Sequence, residues 1–124
     1  MDIHARVLFS IAAVFNFVVG GVFLFAMTQF AEIIGMKPVP SDPLLIHFGA
    51  VLVIAFGWGY LRIAVDPVVN RPIIKLGIVG KLSVVLAGVV DWYLGNANAA
   101  FPSLLAADVV FVFLFANYLK LHRV

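Results

Sequence analysis

The sequence PIIKLGIVGKLSVVLAGVVDWYLG, residues 72–95, decides the fold of this chain. It is an apolar run of membrane-spanning length, because about 20 residues of helix cross a hydrocarbon core roughly 30 Å thick. Lys81 lies near the middle of the run and Asp91 near its far end. A charge inside an apolar span is costly unless it has a partner or a function. The stretch therefore predicts a transmembrane helix and directs the search for a site to Lys81.

The composition of the whole chain supports a membrane protein. Of its 124 residues, 65% are hydrophobic and 11% are charged, whereas soluble domains carry about 25% charged residues. Too few polar residues remain to cover a water-exposed surface. There is no cysteine, which excludes thiolate catalysis, zinc–thiolate sites and iron–sulfur clusters, and no metal site is predicted. The eight basic residues are scattered and form no basic patch, so no nucleic-acid partner is expected.

Three further apolar runs accompany this stretch. The predicted spans cover about residues 7–27, 44–63, 72–94 and 103–119 of a single membrane domain, residues 1–124. The first run is longer than the apolar part of a signal peptide and is expected to be a retained span. Short connectors force neighbouring spans to run in opposite directions. The predicted fold class is an all-α integral membrane protein, an antiparallel four-helix transmembrane bundle.

The segments between the first two spans carry signals of local structure. Residues 28–36 keep their apolar side chains together and predict a short interfacial helix that ends at Gly35. In the proline-rich connector that follows, Ser41 or Asp42 is expected to cap the second span, with Pro43 at its first helical position.

The basic residues outside the spans predict the topology. One side of the membrane would hold Lys37, and the other would hold Arg6, Arg62, Arg71, Lys75, Lys120 and Arg123. Because basic residues concentrate on the cytoplasmic side, both termini are expected to be cytoplasmic (N-in/C-in). We expect the bacterial inner (plasma) membrane. Trp58 and Tyr60, near the end of the second span, are expected in an interfacial aromatic belt, and the 12 phenylalanines are expected mainly to face lipid.

Three polar residues inside the spans form the main candidate site. Counting from the cytoplasmic ends places Lys81 and Asn16 roughly 15 Å deep and Asp108 roughly 18 Å deep. Lys81 and Asp108 lie on adjacent spans and are expected to meet, with Asn16 beside them. Two interpretations stay open. The pair is either a structural ion pair that fixes helix register, or part of a pocket that binds a ligand or relays a proton.

A second polar level is expected nearer the outer face. His47 begins the second span and Asp91 ends the third. A contact between this imidazole and this carboxylate would titrate near neutral pH. An enzyme acting on lipid or quinone would need a general acid or base, for which His47, Asp91 and Asp108 are the candidates. No nucleophile motif accompanies them, so no catalytic residue is assigned and a non-enzymatic role is favoured.

Several motifs together resemble small bacterial membrane proteins of the DoxX-like type. The shared features are an Asn followed by Gly in the first span, a Gly-Trp-Gly-Tyr end to the second, a Pro-containing turn and a Gly-Lys in the third: Asn16 and Gly20, Gly57 to Tyr60, Asp66-Pro67, and Gly80-Lys81. The resemblance covers most of the chain and implies a four-helix membrane bundle. DoxX itself is linked to quinone-dependent redox complexes, which implies an accessory or quinone-facing role.

A different class of four-span protein provides the alternative. Small multidrug resistance transporters have a similar length and depend on a glutamate in the first span. The first span of this chain has Asn16 and no acid, so Asp108 would have to take over that role. In this alternative the chain is a proton-coupled small-molecule transporter that uses the buried Lys81–Asp108 pair.

The leading hypothesis is a small non-enzymatic membrane module, either an accessory subunit or a bundle that binds a lipid-type or quinone-type ligand. No cofactor is predicted, and a quinone or a lipid is the candidate ligand. The expected partners are the lipid bilayer and either a second copy of the chain or a larger membrane complex.

Overall fold

The computed structural model of the chain describes residues 2–123. Over this range it is all-helical. Six helices follow one another: α1 (Ile3–Phe25), α2 (Met27–Ile34), α3 (Pro43–Val65), α4 (Arg71–Tyr93), α5 (Ala100–Leu104) and α6 (Ala106–Leu121).

Four helical segments within the described residues are long and apolar enough to cross a membrane. They are α1, α3, α4 and the combined α5–α6 segment, which are 23, 23, 23 and 22 residues long. Their positions agree with the four predicted spans, and they indicate an integral membrane protein. The fourth span differs from the prediction of one uninterrupted run. It is broken at Leu105, where the Asp108 N–H donates to the Leu105 carbonyl three residues earlier.

The predicted start of α3 and end of α2 are confirmed. The Asp42 carboxylate accepts from the backbone N–H groups of Leu44 and Leu45 at 3.1 and 3.3 Å, and Pro43 occupies the first turn. This satisfies donors that a helix N-terminus otherwise leaves without acceptors. Gly35 ends α2 with a φ of 74°, a left-handed conformation that glycine adopts without steric cost.

An aromatic core fills the half of the molecule that contains the start of α1 and the end of α6. Phe9 of α1 packs against Phe115 of α6 with ring centroids 4.8 Å apart, and Tyr60 of α3 lies 5.2 Å from Phe115. The buried members of this core, which we call the packed half, are Ala5, Leu8, Phe9, Ala12, Ala13, Tyr60, Ile63, Ala64, Ile74, Phe111, Phe115 and Tyr118. Phe9, Phe111 and Phe115 are therefore core residues, and the expectation that the phenylalanines mainly face lipid is wrong for them.

Small residues let α1 and α3 approach closely. A Cβ on Gly20 would lie 3.0 Å from the Ala50 carbonyl oxygen, and a Cβ on Gly57 would lie 3.2 Å from the Cβ of Asn16. Side chains larger than hydrogen would force the two helices apart at both points. This close packing fixes Asn16 against α3.

A second, smaller cluster closes the opposite half. Met27 and Ala31 of α2 and Met36 of the following connector are buried there, with Phe23, Ile46 and Phe101 packed around them. The backbone of Lys37 also pairs with Asn98, whose side chain donates to the Gly35 carbonyl at 2.7 Å. These contacts join the first connector to the segment that precedes α5. Between this cluster and the packed half lies the candidate site.

Candidate ligand-binding cavity

Lys81 of α4 and Asp108 of α6 form an ion pair inside the bundle. The Lys81 Nζ lies 2.6 Å from the Asp108 Oδ1, and the two side chains are 6% and 16% exposed. Asp108 lies in the first turn of α6, directly after the break at Leu105, where the helix dipole favours a negative charge. The break in the fourth span thus places a carboxylate at a helix start opposite the lysine.

Asn16 connects this pair to α1 and α3. Lys81 Nζ donates to Asn16 Oδ1 at 3.3 Å, and Asn16 Nδ2 donates to the Val53 carbonyl at 3.1 Å. The second hydrogen bond fixes which way the amide faces, so its oxygen points to the lysine. We call Lys81, Asp108 and Asn16 the Lys81 cluster. The structure brings together the three residues that the sequence placed at one depth.

Aromatic rings enclose the ammonium group of Lys81. The ring centroids of Phe15, Tyr60 and Phe111 lie 5.4, 5.4 and 5.0 Å from its Nζ. At such distances a ring face attracts a cation, most strongly where water is excluded. Together with two oxygen acceptors, these rings account for a lysine that is buried in an apolar bundle.

The role of Tyr60 was not predicted from the sequence. Tyr60 is 1% exposed beside Lys81, whereas Trp58 is 62% exposed, so the interfacial assignment is wrong for Tyr60. Gly77, one helical turn before Lys81, makes room for the Tyr60 ring, because a Cβ on Gly77 would lie 2.8 Å from it. No sequence pattern indicated which residue of α3 lies against Gly77.

An apolar cavity of about 500 Å³ begins at the Lys81 cluster and extends toward Phe23 and Met27. This volume lies within the range of about 300–1,000 Å³ that is usual for small-molecule sites. Its wall includes Leu45, Leu52 and Val84, which are exposed on the outer surface of the bundle. The cavity therefore opens sideways between α3 and α4, through a rim of apolar side chains.

The second predicted polar level is not assembled. Within residues 2–123, no hydrogen bond or ion pair joins His47 to Asp91, and both are exposed. Asp91 instead accepts from Asn96 at 3.1 Å, within the turn that ends α4. His47 lies on the wall of a separate, smaller surface depression. The proposed imidazole–carboxylate contact has no support in this geometry.

A polar cluster that the sequence did not predict joins the two ends of the chain. Asp2, the N-cap of α1, accepts from the Tyr118 hydroxyl and from the Ala5 N–H, the latter at 2.9 Å. The Nδ1 of His4 and the Nε2 of His122 are 3.1 Å apart. We call Asp2, His4, Tyr118 and His122 the terminal cluster. Its two histidines are 118 residues apart in the chain, so no local pattern could have linked them.

The surroundings of Asp2 shift its acidity. Partial burial acts to raise the pKa of its carboxyl, but hydrogen bonds from Tyr118 and Ala5 and the positive charge of His122 and His4 outweigh it. The net result is a pKa below the ordinary value.

Searches of protein-family models, curated proteins and solved structures find no match to this chain.

Proposed function

We propose that this chain is a small non-enzymatic membrane module that binds a lipid-soluble ligand, and that it acts as an accessory subunit of a larger membrane complex. The observation that carries the proposal is the apolar cavity with a charged, hydrogen-bonded cluster at its inner end. Ligand sites commonly combine apolar walls with a few polar groups that orient the ligand. An intramembrane ion pair beside such a cavity is a functional candidate.

The topology forms part of the proposal. We place the four spans in alternating directions with both termini in the cytoplasm of a bacterium, as the distribution of lysine and arginine favours. The open side of the cavity would then face the hydrocarbon of the inner membrane. A lipid-type or quinone-type molecule, dissolved in the bilayer, would enter without passing through water. The resemblance to DoxX-like proteins supports the same class of ligand.

Mass spectrometry of the intact protein, released gently from its own membranes, tests this proposal. We expect a retained small molecule or lipid. Gly49 lines the cavity, and a Cβ there would meet no atom within 4 Å, so Gly49→Leu starts from open space and adds bulk at the cavity wall. The matched control is Gly21→Leu, because Gly21 has equally open surroundings and lies outside the cavity lining.

The expected result is loss of the retained molecule from Gly49→Leu and its persistence in Gly21→Leu. Equal retention by both variants would show that the molecule binds elsewhere, on the lipid-facing surface. A protein that carries nothing in any variant, and that recovers no ligand from added membrane lipid extract, would contradict the proposal.

The second candidate function is proton-coupled transport of a small molecule. The observation that favours it is the contact of Asp108 with the cavity, since a proton or a cation arriving there would compete with Lys81 for the carboxylate. In proteoliposomes this function predicts a pH-dependent flux that Asp108→Asn abolishes. A flux that survives Asp108→Asn would remove Asp108 from the mechanism.

A further inference from the structure

One charged oxygen of the Lys81 cluster, the Oδ2 of Asp108, has no hydrogen-bond partner among residues 2–123. The Oδ1 of Asp108 receives the Lys81 hydrogen bond, whereas its Oδ2 accepts no hydrogen bond from any residue between 2 and 123. Asp108 lines the cavity, and its side chain is 16% exposed. A carboxylate oxygen inside an apolar bundle is costly without a donor. A molecule in the cavity that donates a hydrogen bond to the Asp108 Oδ2 would therefore be stabilised there.

The Tyr60 hydroxyl is a second polar group to which the described residues offer no hydrogen-bond partner. It forms no hydrogen bond with the described part of the chain, and Tyr60 also lines the cavity. Its ring centroid is 5.4 Å from the Lys81 Nζ, which in turn contacts Asp108. A phenol hydroxyl both donates and accepts. The Tyr60 ring and the Asp108 carboxylate therefore both lie beside Lys81 at the inner end of the cavity, where Tyr60 supplies a donor and Asp108 a charged acceptor.

The charges of the cluster restrict the ligand further. Lys81 and Asp108 compensate each other, so the site carries no net charge to attract an ion. A carboxylate or an ammonium head group would lose its hydration there without a net opposite charge to replace it. A ketone or an ether accepts from Tyr60 but leaves the Asp108 Oδ2 without a donor. A hydroxyl group satisfies both, because it donates one hydrogen bond and accepts another.

We propose that the cavity binds a neutral, lipid-soluble alcohol. Its hydroxyl group donates to the Asp108 Oδ2 and accepts from the Tyr60 hydroxyl, and its apolar body extends past Phe23 toward Met27. This inference rests on the proposed function, namely that the cavity is a ligand site, and it specifies the head group of the ligand.

Competition photolabelling of the purified protein in phosphatidylcholine nanodiscs tests the inference. The probe is a long-chain primary alcohol with a diazirine in its chain, and peptide mass spectrometry locates the label. The competitors share one chain and carry a hydroxyl, a methyl ether or a carboxylic acid. We expect label on residues of the cavity wall. The alcohol should compete about 10- to 100-fold better than the ether, because the ether cannot donate to a charged acceptor.

Tyr60→Phe tests the second contact and keeps the ring in place. Because the alcohol and the ether both accept from Tyr60, the variant should weaken both roughly 2- to 12-fold, as expected for one neutral hydrogen bond. It should leave unchanged the competition by the parent hydrocarbon, a further competitor that has the same chain and no head group. If Tyr60→Phe weakens competition by neither the alcohol nor the ether, or weakens competition by the hydrocarbon as much, the assignment of Tyr60 is overturned.

Gly49→Leu and Gly21→Leu separate this inference from the proposed function. Equal competition by alcohol, ether and acid, together with labelling that Gly49→Leu abolishes, would overturn the alcohol head group and leave the cavity a ligand site. Label that avoids the cavity wall and is unaffected by Gly49→Leu would overturn both. Preference for the alcohol that is lost in Gly49→Leu and kept in Gly21→Leu is the result we expect.

Discussion

The same four apolar helical segments form the packed half and the part of the bundle that contains the cavity, which we call the open half, yet only the packed half is filled. In the packed half, large side chains such as Phe9 and Phe115 are fully buried against one another. In the open half, the cavity wall contains the small residues Gly49, Ala50 and Gly80. Lipid offers no hydrophobic force that would press such helices together. The two halves therefore differ in whether large side chains of facing helices meet, and not in how apolar the helices are.

The Lys81 cluster lies at the boundary between the two halves, and breaking its ion pair should be among the most destabilising changes because it leaves a buried charge unpaired. Lys81→Met leaves Asp108 buried without its cation, and we expect a loss of about 3–5 kcal/mol in the free energy of unfolding. The double variant Lys81→Met/Asp108→Leu should recover most of that loss, since no charge remains unpaired. Unfolding in mixed micelles of increasing SDS fraction measures both values.

The control for these variants is Lys75→Met, on the same helix at an exposed position. It should change the free energy of unfolding by less than about 0.5 kcal/mol. If the double variant is no more stable than Lys81→Met, pairing is not what makes Lys81 and Asp108 tolerable in the bundle.

Removing one aromatic ring from each half tests the comparison itself. Phe115 is 0% exposed in the packed half, so Phe115→Ala should cost about 3–5 kcal/mol through lost contacts and a new void. Phe23 borders the existing cavity and lacks contacts on that side, so Phe23→Ala should cost less than half as much. The same SDS unfolding experiment compares them. Equal losses would mean that the cavity side is as well packed as the core.

The sequence predicted where the helices lie along the chain better than it predicted which side chains of each helix face the interior. Apolar run length located the four spans, and counting along them placed Lys81, Asp108 and Asn16 at one depth. Neither depends on how the helices are rotated about their axes. Tyr60 was misplaced because its environment depends on that rotation: Gly77 of α4 makes room for it inside, while Trp58 two residues earlier stays outside.

The remaining misses have related physical causes. The break at Leu105 lies in a run that contains no glycine, and its one proline, Pro102, comes before the break and fits the first turn of a helix as well as an interruption. The contact between His47 and Asp91 was inferred from similar depth alone, and depth does not bring two side chains onto facing surfaces. The terminal cluster depends on contacts between the first and last helices, and the spacing of residues within a helix does not predict such contacts.

The smallest effect on stability is expected at the terminal cluster. Titratable groups joined by hydrogen bonds form this cluster, whereas the Lys81 cluster is held by a buried ion pair. The pKa of Asp2 is lowered in the folded protein, so its stabilising contribution is present above the ordinary carboxyl pKa of about 3.9 and is lost as the pH falls through the folded value. Asp2→Asn should therefore reduce the fall in thermal midpoint between about pH 6 and about pH 3. The control is Glu32→Gln, which removes an exposed carboxylate that forms no hydrogen bond within residues 2–123, and it should keep the wild-type profile. If Asp2→Asn and wild type lose the same stability on acidification, the Asp2–Tyr118 contact does not hold the two ends of the chain together.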